Sequence, residues 1–177
     1  MKKLLLLLLM CCLAFTLVAC NSGDEKNTTE DVETLDQQDQ VSEIDVSKVQ
    51  EVNVGEAEDA VTMRLPEQAT EADTSILDSG VAQTSFMLNS GSQVVVLQSA
   101  GNVTLSEIDD KFENEVKVDI NGMVCNLRYF NNDEASKATY GVAEAYDEDS
   151  DTSYFVMIVT NATKADLIVL MQIVSGK

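Results

Sequence analysis

Apolar and polar positions alternate most regularly between residues 115 and 130. Val116, Val118 and Ile120 recur at every second position before Asn121-Gly122, and Met123, Cys125 and Leu127 do so after it. An Asn-Gly pair between two such runs predicts a type I′ hairpin, because both turn residues of that turn need positive φ. The turn sets the register: Ile120 opposite Met123, Val118 opposite Cys125, Val116 opposite Leu127. All six side chains then share one face, a match that a one-residue slip would destroy. The other face carries Lys117, Asp119, Asn126 and Arg128, expected to meet solvent or a sheet margin, with Val124 as its lone apolar member.

The same patterning predicts further elements. Residues 81–88 and 93–99 read as two strands across the turn formers at 89–92. Val94, Val95, Val96 and Leu97 are contiguous and do not alternate, which suits a strand covered on both faces. Residues 60–65 suggest an edge strand, since Pro66 has no N–H to continue pairing. Residues 138–146 and 153–160 form a third pair across the acidic turn 147–152, and the unbroken apolar run 154–159 predicts a central position. Thr163 followed by Asp166 reads as a capping box with Asp in place of Glu. Leu167, Leu170, Met171 and Val174 then fall on one helical face, although the β-branched Ile168, Val169 and Ile173 pull toward strand. Residues 106–112 fit a short helix, with Ser106 and Asp109 as its cap and Ile108 and Phe112 one turn apart. Strands followed by a terminal helix predict an α+β fold over residues 59–177, a mainly antiparallel sheet packed against the C-terminal helix. That span is long enough for one core.

The N-terminal pattern is different. Lys2 and Lys3 precede a nearly unbroken apolar run over residues 4–19. The run is shorter than the roughly 20 residues a membrane span needs. Polar residues follow it with no basic stop-transfer cluster, so residues 1–19 read as a secretory signal peptide. Residues 20–58 hold no aromatic side chain and a large surplus of Asp and Glu, which predicts a disordered acidic tether. Within it, Val41, Ile44, Val46, Val49 and Val52 fit either an amphipathic helix docking on a partner or a linker with no fixed structure.

Charge and composition narrow the chemistry. The formal charge is −20, and the chain has no His and no Trp. Such acidity argues against nucleic acid as a partner and against the domain lying flat on an anionic leaflet. Without His, a nucleophile would have to be activated by Lys, and Lys111, Lys117, Lys137 and Lys164 sit in no recognisable motif. No catalytic residue is assigned. Cys125, inward in the hairpin, is expected to be a small buried apolar residue. Zinc and iron–sulfur sites lack ligands, and no cofactor is expected. Asp147, Asp149 and Asp151 are the candidate Ca²⁺ ligands, at most of a weak site. An EF-hand loop would need Gly and an acid where Thr152 and Ile158 stand.

Leu17-Val18-Ala19-Cys20 resembles the lipobox of bacterial lipoproteins, in which the Cys thiol is acylated and becomes the new N-terminus. The resemblance implies a diacylglycerol on Cys20, and two acyl chains suffice for stable anchoring where one does not. It also implies a place on the extracytoplasmic face of the cell membrane. The signal, the acidic tether, Val118-Asp119-Ile120-Asn121-Gly122-Met123 and Ala162-Thr163-Lys164-Ala165-Asp166-Leu167-Ile168 together resemble lipoproteins of Gram-positive gut bacteria. These carry a C-terminal domain of unknown function. Relatives of this kind often carry Trp in the strand after the hairpin, and residues 137–141 have none. The resemblance implies an architecture and no activity. The expectation is a membrane-anchored cell-envelope lipoprotein, a non-catalytic binding or interaction module with an envelope protein or glycan as partner. One alternative is a carrier or sensor of a small apolar ligand held between sheet and helix, suggested by the two-faced apolar strands. The other is an envelope hydrolase.

Overall fold

The computed structural model describes residues 32–34, 42–56, 58, 60–104, 112–131 and 137–177. Among the described residues ten strands and one helix are formed: β1 (Val32–Thr34), β2 (Val49–Val54), β3 (Val61–Pro66), β4 (Thr70–Ile76), β5 (Ala82–Met87), β6 (Gln93–Ala100), β7 (Asn114–Ile120), β8 (Met123–Asn131), β9 (Lys137–Asp147), β10 (Thr152–Thr163) and α1 (Lys164–Ser175). The predicted class holds in its main feature, an antiparallel sheet with the C-terminal helix packed on it.

Eight strands form one sheet in the order β1-β7-β8-β9-β10-β6-β5-β4. Every neighbouring pair is antiparallel except β1 and β7, which run parallel at one edge. The β7–β8 hairpin has the register set by its turn, with Ile120 opposite Met123, Val118 opposite Cys125 and Val116 opposite Leu127. Asn121 and Gly122 take φ of 50° and 90°, as a type I′ turn requires. The apolar runs of β6 and β10 lie side by side in mid-sheet, with Val96 opposite Val156.

α1 covers one face of β9 and β10. Thr163 caps it, its Oγ1 accepting the Asp166 N–H at 3.0 Å. Asp166 does not reach back to the backbone as in a capping box. Its two carboxylate oxygens accept the hydroxyls of Thr163 and Ser42, each at 2.6 Å. Leu167, Leu170, Met171 and Val174 are buried as the helical spacing predicts, and so are Ile168 and Ile173. The reason is a second cover: β2 and β3 form a separate antiparallel hairpin, and β3 lies against α1. Val54, Met63 and Leu65 join the sheet and helix residues in one core, all with no exposed surface. A helix wrapped on two sides is apolar on two sides. Gly141 of β9 lets it approach closely, since a Cβ there would stand 2.8 Å from Leu167 Cδ1.

Three sequence expectations are corrected. The acidic tether does not run unstructured to residue 58, because 42–54 belong to the folded unit. Ile44 is buried, and 49–54 form a strand rather than a helix or linker. Alternation of Val49, Glu51 and Asn53 with Gln50, Val52 and Val54 gives only a weak period of two, and the surrounding acid surplus obscures it. Residues 60–65 do pair as an edge strand, but with β2 and outside the main sheet. β4 was not legible, since Thr70, Asp73, Thr74 and Ser75 supply little apolar signal and a bulge interrupts its pairing with β5. The signal peptide, Cys20, most of the tether and the helix expected at 106–112 lie outside the described residues apart from Val32–Thr34, 42–56, 58 and Phe112. No helix among the described residues is long and apolar enough to cross a membrane.

Candidate functional site

The sheet face turned away from α1 holds the polar residues of the β7–β8 hairpin, and the register aligns them with their neighbours. Lys117 on β7 lies opposite Asn126 on β8, which lies opposite Glu144 on β9. The row continues into Phe155 of β10 and Leu97 of β6. This face is therefore charged over β7–β9 and apolar over β10 and β6, where Val95, Leu97, Phe155 and Met157 are buried. The connection between β6 and β7 begins and ends on it. At one end the Val103 N–H donates to Ser153 Oγ at 2.9 Å, and that hydroxyl donates to the Gly101 carbonyl at 2.7 Å. At the other end Phe112 stacks on Tyr140 with ring centroids 5.5 Å apart and tilts against Phe130 at 5.3 Å.

The hairpin's polar residues are partly exposed, and Arg128 is drawn into an ion pair away from solvent. Arg128 Nη2 donates to Glu144 Oε1 at 2.6 Å, and the two side chains are 11% and 10% exposed. Asn126 Oδ1 is buried without a hydrogen-bond partner. Beside this row opens a groove of about 550 Å³. Its floor and one wall are Lys117, Asn126 and Glu144, its other wall residues 102–104, and its rim the turns at 121–122 and 147–149. Val103 and Val124, two of the few large apolar residues left exposed, both line it.

The rim is fixed by ion pairs and turn hydrogen bonds. Lys177 Nζ lies 3.2 Å from Asp147 Oδ1 and 3.6 Å from Asp149 Oδ2, joining the end of α1 to the β9–β10 turn. Asp147 also accepts the Ser150 hydroxyl at 3.0 Å and the Asp149 N–H at 3.2 Å. Burial pushes the Asp147 carboxyl up, but the hydrogen bonds from Ser150, Lys177 and the Asp149 amide outweigh it and hold the group below its ordinary value. Lys177 is raised, first by its hydrogen bond to Asp147. Tyr146 donates to Asp151 Oδ1 at 2.7 Å, and this bond raises its hydroxyl pKa.

The three carboxylates considered for Ca²⁺ therefore do not converge. Asp147 and Asp149 hold an ammonium group, while Asp151 turns to Tyr146. Among the described residues no three Asp, Glu, His or Cys are grouped to hold a metal ion. Cys125 is buried on the α1 side, and burial, with Glu144 adding, pushes its thiol up to about 12. A thiol so held stays protonated and is a poor nucleophile. The volume between α1 and the sheet, where an apolar ligand was expected as one alternative, is filled by Leu127, Ile158, Leu167, Leu170 and Met171, none more than 1% exposed. Sequence reasoning did not find the groove. The one signal was Val124, apolar on a polar face.

Comparison with known proteins leaves this geometry to speak for itself. No family model matches the chain, and no curated protein or solved structure matches it either.

Proposed function

We propose that the chain is a lipid-anchored, extracytoplasmic binding module, held to the membrane through Cys20, that takes its ligand in the groove beside Lys117, Asn126 and Glu144. The groove carries this reading. Its volume of about 550 Å³ lies within the range of roughly 300–1,000 Å³ usual for small-molecule sites. It combines two exposed valines with a floor of polar groups, the mixture that fixes both affinity and orientation. The groups that would do chemistry there are committed to structural partners: Glu144 to Arg128, Asp147 to Lys177. That supports binding over turnover. The lipobox-like Leu17-Val18-Ala19-Cys20 supports the anchor, and the acidic stretch after it would hold the module away from an anionic surface.

The test is direct. The full-length protein and Cys20→Ser are expressed in a bacterial host and partitioned with a cloud-point detergent, and the purified forms are weighed intact. The wild type is expected in the detergent phase, beginning at position 20 with an added diacylglyceryl mass, and Cys20→Ser in the aqueous phase. A wild-type chain that retains its first 19 residues, or carries no lipid, overturns the anchor. For the groove, amide spectra recorded with small molecules extracted from the cell envelope are expected to move at 102–104, 121–126 and 144–149. The same titration on Val124→Arg, which fills the groove, is expected to move none of them.

A further inference from the structure

The charge around the groove points to what enters it. Among the described residues four carboxylates line it (Glu144, Asp147, Glu148 and Asp149) against two ammonium groups, Lys117 and Lys177. Arg128, behind the floor, offsets Glu144 at 2.6 Å, and Lys177 is shared between Asp147 and Asp149. A negative surplus remains, and it sits at the mouth. Glu148 is exposed, and the Asp149 side chain is 92% exposed, 3.6 Å from a lysine already closer to Asp147. The low-dielectric walls of a concave site focus such a field. A second observation is independent of charge: Val103 and Val124 are 42% and 47% exposed and line the same groove.

From these two features we infer that the groove selects a cationic amphiphile of modest size, an ammonium or guanidinium group on a short apolar stem. The side chain of a lysine or arginine in an extended peptide has this form. The stem lies along Val103 and Val124, as long basic side chains do on apolar surface. The positive head meets the carboxylates at the mouth. An anionic ligand would have to enter past Glu148 and Asp149. An uncharged apolar one would gain nothing from that field.

This inference rests on the groove being a binding site, and the experiment separates the two. The full-length protein is titrated with Nα-acetyl-lysine methylamide, with the isosteric norleucine derivative, and with acetate, following amide shifts and calorimetric heat at low and moderate salt. The lysine probe is expected to move 102–104, 121–126 and 144–149 and to weaken as salt rises. The norleucine probe is expected to bind more weakly by about tenfold, and acetate not to bind. Glu148→Gln is expected to weaken the lysine probe by about two- to fivefold, the worth of one exposed ion pair. Glu148→Lys is expected to weaken it further. Norleucine or acetate matching the lysine probe at these residues would overturn the cationic preference and leave the groove standing. Lysine-probe shifts that persist in Val124→Arg would place binding elsewhere and overturn both.

Discussion

Gly141 is the residue on which the helix–sheet distance depends. It has no Cβ where one would meet Leu167 Cδ1 at 2.8 Å, closer than real Cβ contacts come. Alanine has a better strand propensity than glycine, so a surface argument would predict stabilisation. The close approach reverses that sign. Gly141→Ala is expected to destabilise by about 1–3 kcal/mol, the usual cost of overpacking. Urea midpoints read this, and adding Leu167→Ala is expected to cost less than the sum of the two single changes, because the second change removes the atom that clashes. The Arg128–Glu144 pair makes the opposite case. Removing Arg128 takes from Glu144, about nine-tenths buried, the guanidinium 2.6 Å away, so Arg128→Met is expected to destabilise, by at most about 3–5 kcal/mol. The double variant Arg128→Met/Glu144→Leu is expected to recover most of that loss in the same measurement, since two apolar groups need no partner.

At the scale of elements, α1 is pinned at both ends by side chains from distant parts of the chain. Ser42 and Thr163 donate to Asp166 at its start, and Lys177 reaches Asp147 past its end. The second contact has a defined pH dependence. Asp147 is held below its ordinary 3.8, so its contribution is present above 3.8 and is lost as pH falls through the depressed value. Lys177 is held above 10.5, so its contribution is present below 10.5 and is lost as pH rises through the raised value. The difference in melting temperature between wild type and Lys177→Met is therefore expected to be constant between those limits and to shrink beyond either. Thermal melts at about pH 3, 7 and 11 check it.

Those same elements show what the sequence could and could not reveal. The β7–β8 hairpin was legible down to its register because a two-residue turn and a strict alternation are both local. α1 was legible because its N-cap chemistry and its apolar spacing agree. β2 and β4 were not: each borrows its stability from a partner, β3 or β5, that carries the apolar pattern on its behalf. The groove was hidden for a stronger reason. Asn126, Glu144, Val103 and Lys177 belong to four separate stretches, and only strand order brings them together. Nothing in residues 93–120 announces that β6 and β7 are separated by three strands.

For the whole molecule, the folded unit begins well before the point where the composition changes. Ile44, Val54, Met63 and Leu65 complete the core over α1. A chain starting at residue 42 loses from the described fold the three-residue edge strand β1 and is expected to melt close to the full-length protein. One starting at residue 59 leaves Met63 and Leu65 without β2 and uncovers one side of α1, and is expected to melt far lower and to bind a hydrophobic dye. Scanning calorimetry with dye fluorescence on the two truncations distinguishes these outcomes.

The position of β10 has a consequence for how the protein is made. It follows every other described strand in sequence, yet it lies between β9 and β6 and, among the described residues, joins the β4–β6 and β7–β9 groups into one sheet. Until β10 has left the ribosome, each group has an open edge and an uncovered apolar face. Native assembly must therefore wait for β10, with pairings far apart in sequence setting its pace. Any nascent form stalled before Thr152 would be the species most in need of a chaperone.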